Sequence, residues 1–316
     1  MAAKQIIAVI GATGAQGGGL VRAILEDRDG AFAARALTRN PGSEKAKALA
    51  AAGAEVVAAD MDDPASLERA FKGAHGVFCV TNFWEHFSAE KEIAQVRATA
   101  TAAKRVGVRH VIWSTLEDTR RWVPLSDNRM PTLMDRYKVP HFDGKGEADH
   151  IFTELGVPAT CLLTSFYWDN LIHFGMGPKP GADGTLEFTL PMDQAKLPGI
   201  AVEDIGRCAL GIFKRGGELI GKTVGIAGEH LSGAEMASAL TKALGRPVRH
   251  NAVPPAVYRG FGFPGAEDLG NMFQFKRDFE NDFRGARDPA VARSLNPALQ
   301  TFATWLERNA GRIPLE

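Results

Sequence analysis

The stretch Ile6-Ile-Ala-Val-Ile-Gly-Ala-Thr-Gly-Ala-Gln-Gly17 constrains this chain more than any other part of it. A five-residue apolar run gives way to glycines at 11, 14 and 17, after which Leu20, Val21, Ile24 and Leu25 recur at helical spacing. The order is a buried strand, a tight turn and a helix running to Asp27. Gly11 lets the chain turn, Gly14 removes a side chain where backbone must approach phosphates, and Gly17 lets the helix pack close to the strand. The helix start offers unpaired N–H groups and a positive dipole end, the usual means of holding a dinucleotide pyrophosphate.

The same rhythm continues. Phe32 to Thr38 reads as a second strand, Glu44 to Ala52 as an alanine-rich helix, Glu55 to Ala59 as a third strand and Pro64 to Phe71 as a short helix. Gly76 to Val80 is a fourth strand, Glu90 to Val106 a long helix and His110 to Ser114 a fifth strand. Pro140 opens another helix with His141, Lys145 and Asp149 four apart on one face, and the strand Ala159 to Thr164 follows. This alternation predicts an α/β fold, a doubly wound parallel sheet of the Rossmann type. A chain of 316 residues, 45% of them hydrophobic, can bury such a core and carry an additional part.

Beyond residue 165 the alternation breaks down. A glycine- and proline-rich stretch, Gly175 to Gly184, marks a boundary; Val202 to Lys214 is an amphipathic helix, and Lys222 to Ala227 returns as an edge strand. Ala234 to Leu244 and Ala298 to Arg308 read as helices with an aromatic-rich loop between them. The predicted division is a nucleotide-binding domain over 1–165, with 201–228 returning to it, and a smaller lobe over 166–316.

Charge and cysteine content narrow the function. Thirty-seven basic residues balance thirty-seven acidic ones, which argues against a nucleic-acid partner or an anionic membrane surface. No apolar run approaches the roughly 20 residues of a membrane span, and a strand so close to the N-terminus leaves no room for a signal peptide. A soluble cytoplasmic protein is expected. Cys79, Cys161 and Cys208 lie far apart in apolar surroundings without metal-ligand spacing, so they read as reduced buried thiols, and no metal site is expected.

The residues after the second strand bear on the cofactor. An NAD site places an acidic residue there, whereas arginine accommodates a 2′-phosphate. Arg39 therefore points to NADP(H), with a solvated strand-end arginine as the alternative; no acidic neighbour in the sequence competes with it. Asp60 and Met61, after the third strand, would flank the adenine, although turn formation explains the aspartate equally well. Thr81, Asn82, Phe83, Trp84 and Glu85 follow the fourth strand as a polar and aromatic cluster that suits the nicotinamide side of a pocket or a packed loop.

At this point the chain resembles a known family, the NmrA-like proteins, an atypical branch of the short-chain dehydrogenase/reductase superfamily that includes the human NmrA-like redox sensor. The motifs are GATGAQG at 11–17, LTRNP at 37–41, VTNFWE at 80–85, HFDGKGE at 141–147 and GFPGAEDLGNMFQF at 262–275. The resemblance implies an NADP(H) site in which Gly11, Thr13, Gly14, Gln16, Gly17 and Arg39 hold the phosphates. It also implies Asp60 and Met61 at the adenine edge, Thr81, Asn82 and Phe83 on the nicotinamide side, and Lys145 on the ribose.

The departure is in the catalytic machinery. Ordinary members carry a tyrosine four residues before the lysine, and here that position is His141. Histidine can donate a proton, but the helix's first turn and Lys145 both oppose imidazolium, which favours a neutral, packed or hydrogen-bonded ring. Tyr137 lies at the wrong spacing, Ser114 reads as a strand-end hydrogen bonder, and Glu117 and Asp118 are similarly placed. Two functions follow: a redox-sensing regulator with weak or no turnover that meets a protein partner through its C-terminal lobe, or an NADPH-dependent oxidoreductase acting on a quinone, enone or imine. For the second, Phe83, Trp84, Phe166, Tyr167 and Trp168 would form the substrate pocket.

Overall fold

A computed structural model describes residues 3–315. Its central sheet has seven strands: β1 Gln5–Val9, β2 Phe32–Thr38, β3 Glu55–Ala58, β4 Gly76–Cys79, β5 His110–Thr115, β6 Ala159–Leu163 and the returning edge strand Thr223–Gly225. With the returning strand numbered β11, the spatial order is β11-β6-β5-β4-β1-β2-β3, and the pairs β3·β2, β2·β1, β1·β4, β4·β5 and β5·β6 are parallel. The order reverses at β1 and β4, which opens a crevice at their carboxyl ends. Ile7, Val9, Val77, Phe78, Val111, Ile112 and Trp113 are fully buried, as continuous apolar strands covered on both faces must be.

The connections are the helices α1 Ala15–Glu26, α2 Glu44–Ala51, α3 Pro64–Phe71, α4 Ala89–Val106, α5 Pro140–Ala148 and α6 His150–Glu154. Side chains set their limits. Ser43, Asp63 and Ser88 cap α2, α3 and α4 by accepting backbone N–H bonds, and Gly107 ends α4 in a left-handed conformation. Past β6 lie β7 Phe166–Tyr167, α7 Asn170–His173, β8 Lys179–Pro180, β9 Leu186–Thr189, β10 Lys196–Ile200 and α8 Val202–Arg215. The remainder comprises β12 Glu229–Ser232, α9 Gly233–Leu244, β13 Val248–Asn251, α10 Pro255–Arg259, α11 Ala266–Asp278, α12 Glu280–Gly285, α13 Pro289–Leu295 and α14 Phe302–Asn309. Two three-stranded sheets, β12-β10-β7 and β13-β9-β8, accompany these helices. The span 245–297, expected as loop, is mostly helical.

The chain divides into two compact units. One comprises Met1–Asp118, Gly144–Leu163 and Val202–Val224; the other comprises Thr119–Asp143, Thr164–Ala201 and Gly225–Glu316. Thr119–Asp143 thus groups with the second unit, not with the first as a boundary at 165 requires. Its buried Asp143 explains the grouping locally: the carboxylate accepts from the Thr119 N–H and hydroxyl and from the Lys138 and Val139 N–H groups, folding this segment onto the start of α5. Among the described residues no helix is long and apolar enough to cross a membrane.

Helices α1 and α8 meet at glycine. A Cβ on Gly206 would lie 2.2 Å from the Gly19 carbonyl carbon and 2.3 Å from the Leu20 nitrogen. Gly206→Val should therefore destabilise the protein by about 1–3 kcal/mol in denaturant melts, while Gly217→Ala, with nothing within 4 Å, should change it little.

Burial also makes one histidine a stability sensor. His110 Nε2 faces Thr160 Oγ1 at 2.8 Å, and that hydroxyl donates onward to the Leu219 carbonyl, so the neutral ring is the donor. Burial lowers its pKa to about 4. A folded-state value below the unfolded one of about 6.5 means stability that is full above pH 6.5 and lost as pH falls toward 4. Melts at pH 7 and 4.5 should show His110→Phe losing less stability with acid than wild type, the difference being on the order of 2 kcal/mol.

Candidate functional site

The turn after β1 has the shape its glycines predict. Gly11 adopts φ +65°, and its carbonyl accepts from the Gly14 N–H at 2.8 Å. A Cβ on Gly17 would lie 2.5 Å from that carbonyl oxygen, so only glycine lets α1 approach the turn this closely. Gly14 is the N-cap of α1 and provides no side-chain cap, and the first turn has no acidic residue. Gly11 and Gly14 are exposed and Thr13 is half-buried. Backbone donors, a positive dipole end and no competing carboxylate fit the pyrophosphate of a dinucleotide. Gln16 is buried and accepts from the Ser114 hydroxyl at 2.7 Å, which ties the end of β5 to α1. Ser114 is thus a strand-end hydrogen bonder, as expected.

The other strand ends are more heavily committed. Arg39 follows β2 and forms an ion pair with Glu85, which follows β4. Glu85, then Asp60 and Asp62, hold the guanidinium pKa above its usual range. The expectation that no acidic residue competes for Arg39 is thereby corrected, since the competitor lies 46 residues away. The Asp60 carboxylate accepts from the Asp62 N–H at 2.9 Å, a local turn bond, and Met61 packs against the core. Asn82 is exposed, Phe83 is buried, and Trp84 lies edge-on to Phe83 with centroids 5.4 Å apart.

Lys145 is buried, and its ammonium donates to the Thr81 carbonyl, the Thr81 hydroxyl and Glu92 Oε1, the last at 2.9 Å. All three N–H donors have partners within the protein. The ammonium also lies 5.1 Å from the Trp113 ring centroid. The Thr81 hydroxyl donates to Glu92 Oε1 at 2.6 Å, and Glu92 is fully buried with no hydrogen-bond partner for Oε2. The resemblance implies a lysine that holds the ribose, whereas here the ammonium lies in a buried ion pair with Glu92.

His141 precedes Lys145 by one turn. It is buried, its Nδ1 lies 2.5 Å from Asp268 Oδ1, and its backbone N–H donates to Asp268 Oδ2. Tyr137 is fully buried under the guanidinium groups of Arg120 and Arg136. Glu117 and Asp118 lie half-buried after β5, where a Cβ on Gly146 would come within 2.3 Å of the Asp118 nitrogen. Trp84 belongs to the first unit; Phe166 and Tyr167 belong to the second. Phe166 and Trp168 are core residues there, Phe166 against Phe273 and Trp168 against Phe302 and Trp305, so neither offers an open pocket wall. Cys79, Cys161 and Cys208 form no disulfide, and burial pushes the Cys79 and Cys161 thiols up to about 12 and Cys208 higher still. Among the described residues no group of three or more His, Cys, Asp or Glu converges on a metal position.

Sequence reasoning missed Glu92 and Asp268, and it placed Glu85 in the cluster after β4 without its pairing to Arg39. Glu92 carried a signal: it occupies the same α4 face as Ala89, Val96, Thr99, Ala100 and Ala103, all buried. A carboxylate on a buried stripe requires a partner.

These features define a Rossmann-type α/β protein with a glycine turn facing its switch point. More specifically, the chain belongs to the NmrA-like family, whose sequence profile matches residues 3–306. It is 28% identical to the NmrA-like family domain-containing oxidoreductase FrzB of Cladobotryum sp, over 85% of this chain and 83% of that protein. It is 29% identical to an NAD(P)H azoreductase of Xenophilus azovorans, over 78% and 77%. It superimposes on the crystal structure of NmrA, a negative transcriptional regulator, with a TM-score of 0.78 and 25% identity, covering 96% of this chain and 95% of that one. NmrA itself has been crystallised with NADP and with NAD.

The buried pair yields a stability prediction. Lys145→Ala leaves Glu92 buried and unpaired and should cost about 3–5 kcal/mol in denaturant melts. Adding Glu92→Leu to Lys145→Met should recover most of that loss; equal instability of single and double variants would contradict the pairing.

Proposed function

We propose that this protein is an NADP(H)-binding redox sensor with weak or no turnover, in which occupancy of the dinucleotide site is the signal. The observation that carries this reading is the Lys145 network. In ordinary members of the short-chain dehydrogenase/reductase superfamily, the lysine's charge acts on a tyrosine one turn earlier; reductases of the NmrA-like branch also lack that tyrosine. Here the ammonium is engaged by Glu92 and Thr81, and position 141 is a histidine bonded to Asp268. Tyr137 and Tyr258 are buried, burial pushes Tyr258 up to about 12, and the third tyrosine, Tyr167, is half-buried in the second unit.

In this reading the Gly11–Gly17 turn with Thr13 and Gln16 receives the pyrophosphate, and Arg39 the 2′-phosphate. Asp60 and Met61 border the adenine, and Thr81, Asn82 and Phe83 the nicotinamide side. Lys145 reaches the ribose only by exchanging one of its present bonds. The second unit is the surface for a protein partner. The absence of a disulfide among Cys79, Cys161 and Cys208 supports a cytoplasmic setting.

The second reading, an NADPH-dependent oxidoreductase, is favoured by the names of the relatives. Its acceptor would be small and apolar: a quinone, an enone, an imine or, by analogy with the azoreductase, an azo compound. Single-turnover oxidation of bound NADPH separates the two. The sensor reading predicts no acceptor-dependent oxidation above the free-solution rate, in wild type and His141→Phe alike. Turnover of 1 s⁻¹ or faster, falling about a hundredfold in His141→Phe, would instead establish catalysis with His141 as proton donor.

Cofactor choice is tested separately. Titration should show NADPH binding roughly tenfold tighter than NADH, from the charge-assisted bonds of Arg39 to the 2′-phosphate, with the preference lost in Arg39→Ala. Equal affinities in wild type would contradict the assignment.

A further inference from the structure

Arg39 and Glu85 are not neighbours on the sheet. Arg39 lies just past the end of β2 and Glu85 just past the end of β4, and β1 runs between those two strands. Adjacent strands are spaced about 4.8 Å apart, so the ends of β2 and β4 are separated by roughly twice that distance. Glu85 stands six residues past β4, so the pair joins segments that leave the sheet on either side of β1, whose carboxyl end leads into the Gly11–Gly14 turn. The ion pair therefore straddles the crevice at the switch point, where a doubly wound sheet binds its ligand.

The pair is built to be exchanged. Its side chains are 63% and 45% exposed, and an ion pair that wet is weak and easily displaced. The other carboxylates near Arg39 are engaged elsewhere: Asp62 pairs with Lys91 at 3.0 Å and accepts from Gln95, and Asp60 accepts from the Asp62 N–H. Glu85 alone of the three makes a direct bond to the guanidinium. It is also fixed in place, because the single 3-10 turn Phe83–Glu85 is anchored by buried Phe83, with Trp84 and Phe87 edge-on to it. A carboxylate so held is a resident anion on the cation that follows β2, the position suited to a 2′-phosphate.

Resting on the dinucleotide-binding reading above, we infer that Glu85 is a specificity-determining residue: its carboxylate competes with the 2′-phosphate for Arg39 and lowers the preference of the site for NADP(H) over NAD(H). Binding of the phosphorylated dinucleotide transfers Arg39 from Glu85 to the phosphate and frees the Phe83–Glu85 turn. Binding of NADH, which lacks that phosphate, leaves the pair no anion to yield to.

The test is calorimetric titration of NADPH and NADH into wild type, Glu85→Gln, Arg39→Ala and the double variant. Glu85→Gln removes the charge, keeps the shape and affects no buried group. It should tighten NADPH up to about fivefold, the yield of releasing an exposed ion pair, and leave NADH almost unchanged. In the Arg39→Ala background the same substitution should have no effect on NADPH. An unchanged NADPH-to-NADH ratio in Glu85→Gln, with wild type binding both, would overturn the competition alone. Tightening that persists without Arg39 would also overturn it, since repulsion of the ligand by Glu85 would then be the cause. Failure of wild type to bind either dinucleotide would overturn the underlying reading and the inference with it.

Discussion

The close approach of α1 to the turn that precedes it is the constraint on which the rest of this molecule depends. Gly17 has room for no Cβ beside the Gly11 carbonyl, and Gly206 has none beside the backbone of α1 at Gly19 and Leu20. These contacts hold the helix between the β1 turn on one side and α8 on the other. The helix N-terminus then opens at the carboxyl end of β1, with Gly14 leaving its N–H groups uncapped by any side chain. Ser43, Asp63 and Ser88 cap α2, α3 and α4 with side-chain oxygens, whereas Gly14 leaves the start of α1 open at the carboxyl end of β1.

Around that fixed point the charged groups form two layers. The buried layer is Lys145, Glu92 and Thr81, where the bonds are short, water is excluded and removal of one partner strands another. The exposed layer is Arg39 with Glu85, where water screens the pair and exchange is easy. A ligand with a phosphate acts first on the exposed layer. This separates a buried ion pair from an exposed one within a single unit, and in the proposed reading the exposed pair would supply the differential affinity for two arrangements that a sensor needs.

Much of the fold was legible in the sequence. The strand Phe32–Thr38 and the helix Pro64–Phe71 occur with the limits that periodicity and capping residues predict, and the edge strand appears within the stretch read for it. The C-terminal half was less legible. Helices α10, α12 and α13 have 5, 6 and 7 residues, too short to establish a helical period. Helix α11 has 13 residues, but buried Asn271, Gln274 and Lys276 interrupt its apolar pattern, so it resembled a loop with aromatics. At the candidate site the glycines and Arg39 were readable because local geometry determines them. Their partners were not: Glu85, Glu92 and Asp268 reach Arg39, Lys145 and His141 across 46, 53 and 127 residues, and no local spacing encodes such contacts. The neutral-histidine argument weighed the helix end and Lys145 without Asp268 for this reason.

The central claim is that dinucleotide occupancy changes the chain itself, and that the 2′-phosphate is what the chain reads. Hydrogen exchange measured at saturating NADPH and at saturating NADH tests it most directly. Both ligands should protect the Gly11–Gly17 turn to the same degree. Only NADPH should alter exchange across residues 83–87, because only the 2′-phosphate draws Arg39 away from Glu85. Indistinguishable exchange at 83–87 with the two saturating ligands would contradict the account.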